Sequence, residues 1–314
     1  MMKLLKFFKF NKSNRSQYSH KTGGFTLIEL LVGMIMASLI ITPLLGLVIN
    51  MMDTDRKEQA KATSEQEIQA ALDYIARDLD QAFFIYDGLG LDAIKANLPT
   101  VPDATGEPVL VFWKRQFIPK AVPIKGKTIA DCTTSNDPDC DDGFVYSLVG
   151  YYITKQNNCG TSAWSCTSQI RRIELKDALY DLNNNPDTVI GEQASAGLPS
   201  IKQLLDKEGS LEEKLNDWTG IDRGTGDPEQ FQVLIDYIDH TQQDQVSVPF
   251  QACSIDPRPG STDPDYQFRQ VPNTGFSGAF PPNSFYACVN SDQTIAQVFI
   301  RGNALARIRP KNPN

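Results

Sequence analysis

Histidine is almost absent from this chain. Only His20 and His240 occur among 314 residues. That scarcity removes most histidine-based acid–base catalysis and nearly every histidine-rich metal site. There is no GxxxxGK(S/T) phosphate loop, no GxSxG nucleophile elbow and no HExxH zinc motif. Carboxylates are plentiful, but any acidic protein has them, and they carry no specific glycosidase reading. The chain is therefore read as a non-enzyme. A process that uses it and consumes nucleotide must draw that energy from another protein.

Acid is missing from the first 24 residues, which hold six basic side chains (Lys3, Lys6, Lys9, Lys12, Arg15 and Lys21). The formal net charge of −8 conceals this asymmetry, because the remaining 290 residues carry 24 basic against 38 acidic groups, a net of −14. A body of that sign repels polyanions, so general nucleic-acid binding is disfavoured. Apolar residues make up 41% and charged residues 22%, which excludes wholesale disorder and collagen-like repeats.

Charge is missing altogether from Leu30 to Ile49. As a helix these residues span about 30 Å, the thickness of a bilayer's hydrocarbon core. The acid-free group of six basic residues lies on the N-terminal side, which places residues 1–24 in the cytoplasm and the body outside it. A cleaved secretory signal would have a shorter apolar run followed by a small-x-small site. Here the run ends in Asn50-Met51-Met52-Asp53. One acid, Glu29, stands at the edge of the apolar segment, where a carboxylate is costly and marks a functional position by default.

The residues around it read Gly24-Phe25-Thr26-Leu27-Ile28-Glu29-Leu30. This run resembles the prepilin motif of the type IV pilin and pseudopilin superfamily, and it leads into the expected apolar helix. The resemblance implies cleavage between Gly24 and Phe25 by a prepilin peptidase, N-methylation of Phe25, and pairing of Glu29 with the new α-amine of a neighbouring subunit. Gly24 suits cleavage because a residue without Cβ lies extended against a protease. Neutralising both charges in a low-dielectric filament core would set register, since a misplaced subunit leaves a charge unpaired. The implied partners are other pilins or pseudopilins, the peptidase and a membrane assembly platform with a separate ATPase. Pro43 is expected to kink or locally unwind the helix.

Residues 53–82 contain neither Gly nor Pro. Ile68, Leu72, Ile75, Leu79 and Ala82 are spaced 4-3-4-3, one buried helical stripe, with Arg77, Asp78 and Asp80 assigned to the opposite face. The helix is expected to stop near Asp87-Gly88. Strand patterns follow at 109–113, 144–153, 169–175, 231–238 and 295–301, the second and third as an antiparallel pair, while 199–218 reads as helical. The fold class is α+β, a long N-terminal helix packed on a mostly antiparallel sheet. The domain reading is a leader at 1–24, a membrane and assembly half-helix at 25–50, an amphipathic half-helix at 51–87 and an extracytoplasmic head at 88–314, with a helical insertion near 177–228.

The YYIT…RRIEL pair, the closing VFIRGNALARI segment and the large head resemble the larger minor pseudopilins, those like the J subunit of type II secretion or the W subunit of type IV pili. The run LDYIARDLDQAFFIYDG, with the strands after it, further resembles the cyanobacterial hormogonium polysaccharide secretion pseudopilins. That resemblance implies a short filament in the cytoplasmic membrane supporting polysaccharide secretion and surface motility. The alternatives are a minor type IV pilin serving motility, adhesion or DNA uptake, and a membrane-anchored binding or hydrolytic domain.

All six cysteines lie beyond the apolar segment, as expected of disulfides in a translocated head. The favoured pairs are Cys132–Cys140, Cys159–Cys166 and Cys253–Cys288. Zinc on the first four is the weaker alternative, because their spacings are too wide for metal knuckles. Asp181, Asn183, Asn185, Asp187 and Glu192 space oxygens somewhat like a calcium loop, but Pro186 stands where such a loop needs glycine. A solvated turn is the expectation there, with no cofactor assigned and calcium as the lesser reading. Asp137, Asp139, Asp141 and Asp142 are read as a solvated acidic loop. Trp113, Trp164 and Trp218 could stack on sugars, with Trp113 better suited to the core. Arg301, Arg307, Arg309 and Lys311 form a basic strip able to touch an acidic polysaccharide or to balance nearby carboxylates.

Overall fold

The computed structural model describes residues 23–102, 104–123, 132, 140–157, 164–181, 185–189, 194–195, 198–220, 231–240, 251–253, 268–273 and 284–308, with backbone alone at 180–181 and 185–189. The chain divides into two compact units, Met1–Asp55 and Arg56–Asn314.

Helix α1 runs over Leu27–Leu79, 53 residues. In the first unit every described residue is exposed. The helical pattern is continuous through Pro43. Proline removes one backbone donor, and hydroxyls just before it stay inside the helical pattern: Ser38 donates to the Ile35 carbonyl and Thr42 to that of Ser38, both at 2.8 Å.

In the second unit the same helix buries Ser64, Ala71, Ile75 and Asp78, with Ile68 and Leu79 packed against the core. The buried stripe therefore runs 64-68-71-75-78. Leu72 is only half-buried, and Asp78, assigned from sequence to the outer face, is inside. Three residues after Ile75 is the same helical face, so position rather than polarity decides where Asp78 points. The helix stops at Leu79, eight residues before the expected end. The Ala82-Phe83-Phe84-Ile85 run leaves it to become strand β1 (Ala82–Ile85), whose Phe84 and Ile85 pair with Trp113 and Phe112. Aromatic and β-branched residues fit a pleated, half-buried surface better than one more helical turn.

The main sheet has five strands in the order β1-β2-β3-β4-β7, all antiparallel neighbours: β2 is Ala104–Pro123, β3 Cys140–Gln156, β4 Ser168–Lys176 and β7 Gln232–Ile238. The expected pairing of the second and third strand patterns is β3 with β4, where Tyr151 stands opposite Arg172 and Gly150 opposite Ile173. Val109 to Trp113 are all fully buried, so β2 is covered on both faces.

Period-two alternation sorts the sheet's residues. Phe112, Lys114, Val149, Tyr151, Arg172 and Glu174 share the face toward α1. Trp113, Leu148 and Ile173 share the other. On that other face the Trp113 indole donates to the Tyr86 hydroxyl at 3.0 Å, and Tyr86 donates to the Leu215 carbonyl at 2.9 Å. This chain ties the sheet to helix α4 (Leu211–Asn216), next in sequence after α3 (Ile201–Leu205). The helical reading of 199–218 is thus two short helices. Helix α2 (Gly88–Ile94) is capped by Asp87, which accepts from the Gly90 N–H.

A backbone hairpin, β5 (Tyr180–Asp181) with β6 (Asn185–Val189), lies apart from the main sheet. A second sheet joins β8 (Arg269–Val271), β9 (Phe285–Asn290) and β10 (Ile295–Ile300) in the order β10-β9-β8. Beyond it, Gly302 forms an isolated bridge with Ile238 of β7.

Candidate processing and assembly segment

The segment Gly23–Glu29 is built for access. A Cβ added at Gly23 or Gly24 would meet nothing within 4 Å. Phe25 is 81% exposed and Leu27 90%. The helix begins immediately after, capped by Thr26, whose hydroxyl accepts from the Glu29 N–H at 3.3 Å. Thr26 and Glu29 occupy the first and last positions of a capping-box spacing, Thr-x-x-Glu, a start signal that the reading by membrane and cleavage motifs passed over. Glu29 also falls in the first turn, where a carboxylate complements the positive end of the helix dipole.

From Leu27 onward the helix contains an 18-residue window of mean hydropathy 2.4, none of it buried within the protein. Its length and composition suit a membrane crossing. An exposed apolar surface this large marks a membrane- or protein-interaction segment.

The lower part of the same helix is held by charge. Asp78 accepts from the Tyr151 hydroxyl at 2.6 Å, from Arg172 Nε at 2.7 Å and Nη2 at 3.2 Å, and from Lys114 Nζ at 3.1 Å. Glu174 completes the set, 2.9 Å from Lys114 and 2.7 Å from Arg172. Two acids and two bases, all at most 16% exposed at the side chain, thus close a neutral cluster between helix and sheet.

Burial pushes the Asp78 carboxyl up, but hydrogen bonds from Arg172 and Tyr151 and the charges of Arg172 and Lys114 outweigh it and hold Asp78 below the usual carboxylate range. Glu174 is likewise held down against burial by Arg172 and Lys114. Burial and the Asp78 charge both push the Tyr151 hydroxyl up, so it stays a donor. Tyr151, Arg172 and Glu174 were legible only as members of strand patterns. The convergence on Asp78 depends on strand register and had no local signal.

The cysteine expectations divide. Cys132–Cys140 and Cys253–Cys288 are bonded, which also removes the four-cysteine zinc alternative. Cys159 lies outside the described residues, so the third pair does too. Asn183, Glu192, Asp137, Asp139, Arg309 and Lys311 also lie outside them, as do the side chains of Asp181, Asn185 and Asp187. Asp141 and Asp142 are exposed, and Asp142 accepts from the Lys120 N–H at 2.9 Å. Among the described residues no group of three His, Cys, Asp or Glu side chains could hold a metal ion.

Trp113 and Trp218 are buried and unavailable to sugars, whereas Trp164 is 43% exposed. Arg301 pairs with Asp239 at 2.7 Å, and Arg307 pairs with Glu67 and lies over the Tyr237 ring. Both members of the basic strip that are described therefore balance carboxylates.

Residues 19–45 match the family model described as the prokaryotic N-terminal methylation motif. No curated protein and no solved structure matches the chain. The methylation motif, the exposed apolar helix and the α+β architecture support a type IV pilin-like role and are consistent with a membrane-anchored protein.

Proposed function

We propose that this chain is a minor pseudopilin, a non-catalytic subunit of a type II secretion or type IV pilus-like filament. It is cut after Gly24, methylated at Phe25, and assembled through the apolar part of α1 with Glu29 as its register charge. Its partners are other pilins, the prepilin peptidase, and a cytoplasmic-membrane platform driven by a separate ATPase. Polysaccharide export with surface motility is the process it serves.

The observation that carries this reading is continuity. An accessible Gly24-Phe25 bond precedes a capped helix, Leu27–Leu79, whose upper residues are apolar and uncovered. The same helix then buries the 64-68-71-75-78 stripe on a sheet. The size of the head and its closing strand segment support the minor-subunit reading.

The test is Glu29→Ala in the native host. Incorporation into sheared or purified filaments should fall at least tenfold while the protein still accumulates in the membrane. Normal incorporation of the variant would leave an anchored domain that never needs a filament.

A further inference from the structure

On the second unit a cleft of about 600 Å3 opens between α1, the residues before β4, and β7, within the usual range of ligand sites. Beside aliphatic side chains of α1 and β7, its lining includes three aromatic rings from three elements, Tyr74, Trp164 and Tyr237, and its polar groups are Glu67, Asp236 and Arg307. Tyr74 and Trp164 are 42% and 43% exposed. Scattered exposed aromatics need no explanation, but rings gathered around one cleft and held there do.

The holding is specific. Asp236 accepts from the Ser165 N–H at 2.9 Å, the Ser165 hydroxyl at 2.5 Å and the Tyr237 N–H at 2.8 Å. One carboxylate thus fixes the residue after Trp164 and the backbone of Tyr237 together. Tyr237 itself sits at φ +61°, a left-handed conformation that an L-residue adopts at a cost and that clusters at ligand sites. Its carbonyl is held by the Asn303 N–H at 2.7 Å. The Arg307 guanidinium lies 4.3 Å from the centre of the Tyr237 ring and pairs with Glu67.

We propose that this cleft binds a neutral oligosaccharide. A pyranose offers an apolar C–H face to an aromatic ring and a rim of hydroxyls to charged side chains, and the cleft presents both surfaces side by side. The charges argue against an ionic ligand. Arg307 and Glu67 already neutralise each other, Asp236 spends its oxygens on Ser165 and the Tyr237 N–H, and the acidic body repels polyanions. The site lies wholly on residues 67–307 and does not rest on the filament reading.

The test uses the mature full-length chain in a non-glycosidic detergent. Probes are neutral gluco-, manno- and galacto-oligosaccharides, uronic-acid oligosaccharides and choline. Binding is read by calorimetry and by iodide quenching of tryptophan fluorescence. Trp113 and Trp218 are buried, so quenching reports Trp164.

At least one neutral oligosaccharide should bind saturably and shield Trp164 from iodide. Trp164→Ala should weaken that binding roughly tenfold or more, while Phe117→Ala, at an exposed ring elsewhere, should leave it unchanged with the same melting temperature. Three results each overturn the proposal: no saturable binding of any neutral probe, equal binding by Trp164→Ala, or binding confined to uronates or choline.

Discussion

Asp78→Asn is the sharpest perturbation of the second unit. The substitution keeps size and shape, but it takes the cluster of Asp78, Glu174, Lys114 and Arg172 from neutral to a net +1 in a site where no member is more than 16% exposed at the side chain. Removing one partner of a buried ion pair costs about 3–5 kcal/mol because the other charge stays buried. Total stabilities of domains are only about 5–15 kcal/mol. At the lower figure, about 3 kcal/mol, the melting temperature of a unit this size should fall by roughly 6–12 °C.

The assay is thermal unfolding of the full chain in detergent, followed by far-ultraviolet circular dichroism, for Asp78→Asn, Arg172→Met and the Asp78→Asn/Arg172→Met pair. The double variant should lose less than the sum of the singles, because each single strands a charge that the pair does not. The pH dependence has a definite sign. Asp78 is held below its unfolded pKa, so its contribution is complete above that value, about 4, and is lost as pH falls toward the folded value. The gap between wild type and Asp78→Asn should therefore be constant from pH 6 to 8 and shrink in acid. A shift under about 2 °C at pH 7, or a gap that widens steadily above pH 6, would refute the cluster as the helix's anchor.

Reduction should expose the contribution of the two described disulfides. By loop-closure entropy the Cys253–Cys288 bond, at a separation of 35, is worth about 4 kcal/mol and Cys132–Cys140, at 8, about 2.5 kcal/mol. Denaturant titration of Cys253→Ser/Cys288→Ser should accordingly show the larger loss. Gly302 faces α1 closely: an added Cβ would lie 2.7 Å from Ile68 Cδ1 and 2.8 Å from Ser64 Oγ. Those are movable side-chain ends, so Gly302→Ala should be mild, while Gly302→Val should cost about 1–3 kcal/mol in the same titration by pushing on the helix.

The sequence was most legible where one periodicity ran long. The uncharged span, the helical stripe through Ile68 and Ile75, and five strand patterns all reappear as α1, β2, β3, β4, β7 and β10. It was least legible where a short element borrows its neighbour's pattern. Ala82 continues the helical stripe in spacing, yet Phe84 and Ile85 gain more by pairing with β2. Strand β8 has only three residues and no run long enough to declare a period, whereas β9 is as long as β10 and its continuous apolar run, Phe285 to Val289, has no alternation to mark it as a strand.

The buried acid was hidden for a different reason. Asp78 among Arg77 and Asp80 looks like one of a solvated set. Only tertiary register brings Lys114, Tyr151 and Arg172, from three different strands, to meet it. The processing segment was the reverse case: its chemistry lies in consecutive residues, Gly24 to Leu30, and needs no tertiary contact to be read. The aromatic cleft had one visible member, Trp164. Tyr74 and Tyr237 lie inside helix and strand patterns with no local signal to single them out.

The central claim is that the chain is a processed filament subunit, and its N-terminus decides it. Intact mass and N-terminal peptide sequencing of protein purified from native membranes should find a chain that begins at Phe25, with one methyl group on its α-amine and residues 1–24 gone. A chain that keeps residues 1–24 in cells with an active prepilin peptidase would contradict the account and leave an anchored head whose apolar helix serves the membrane alone.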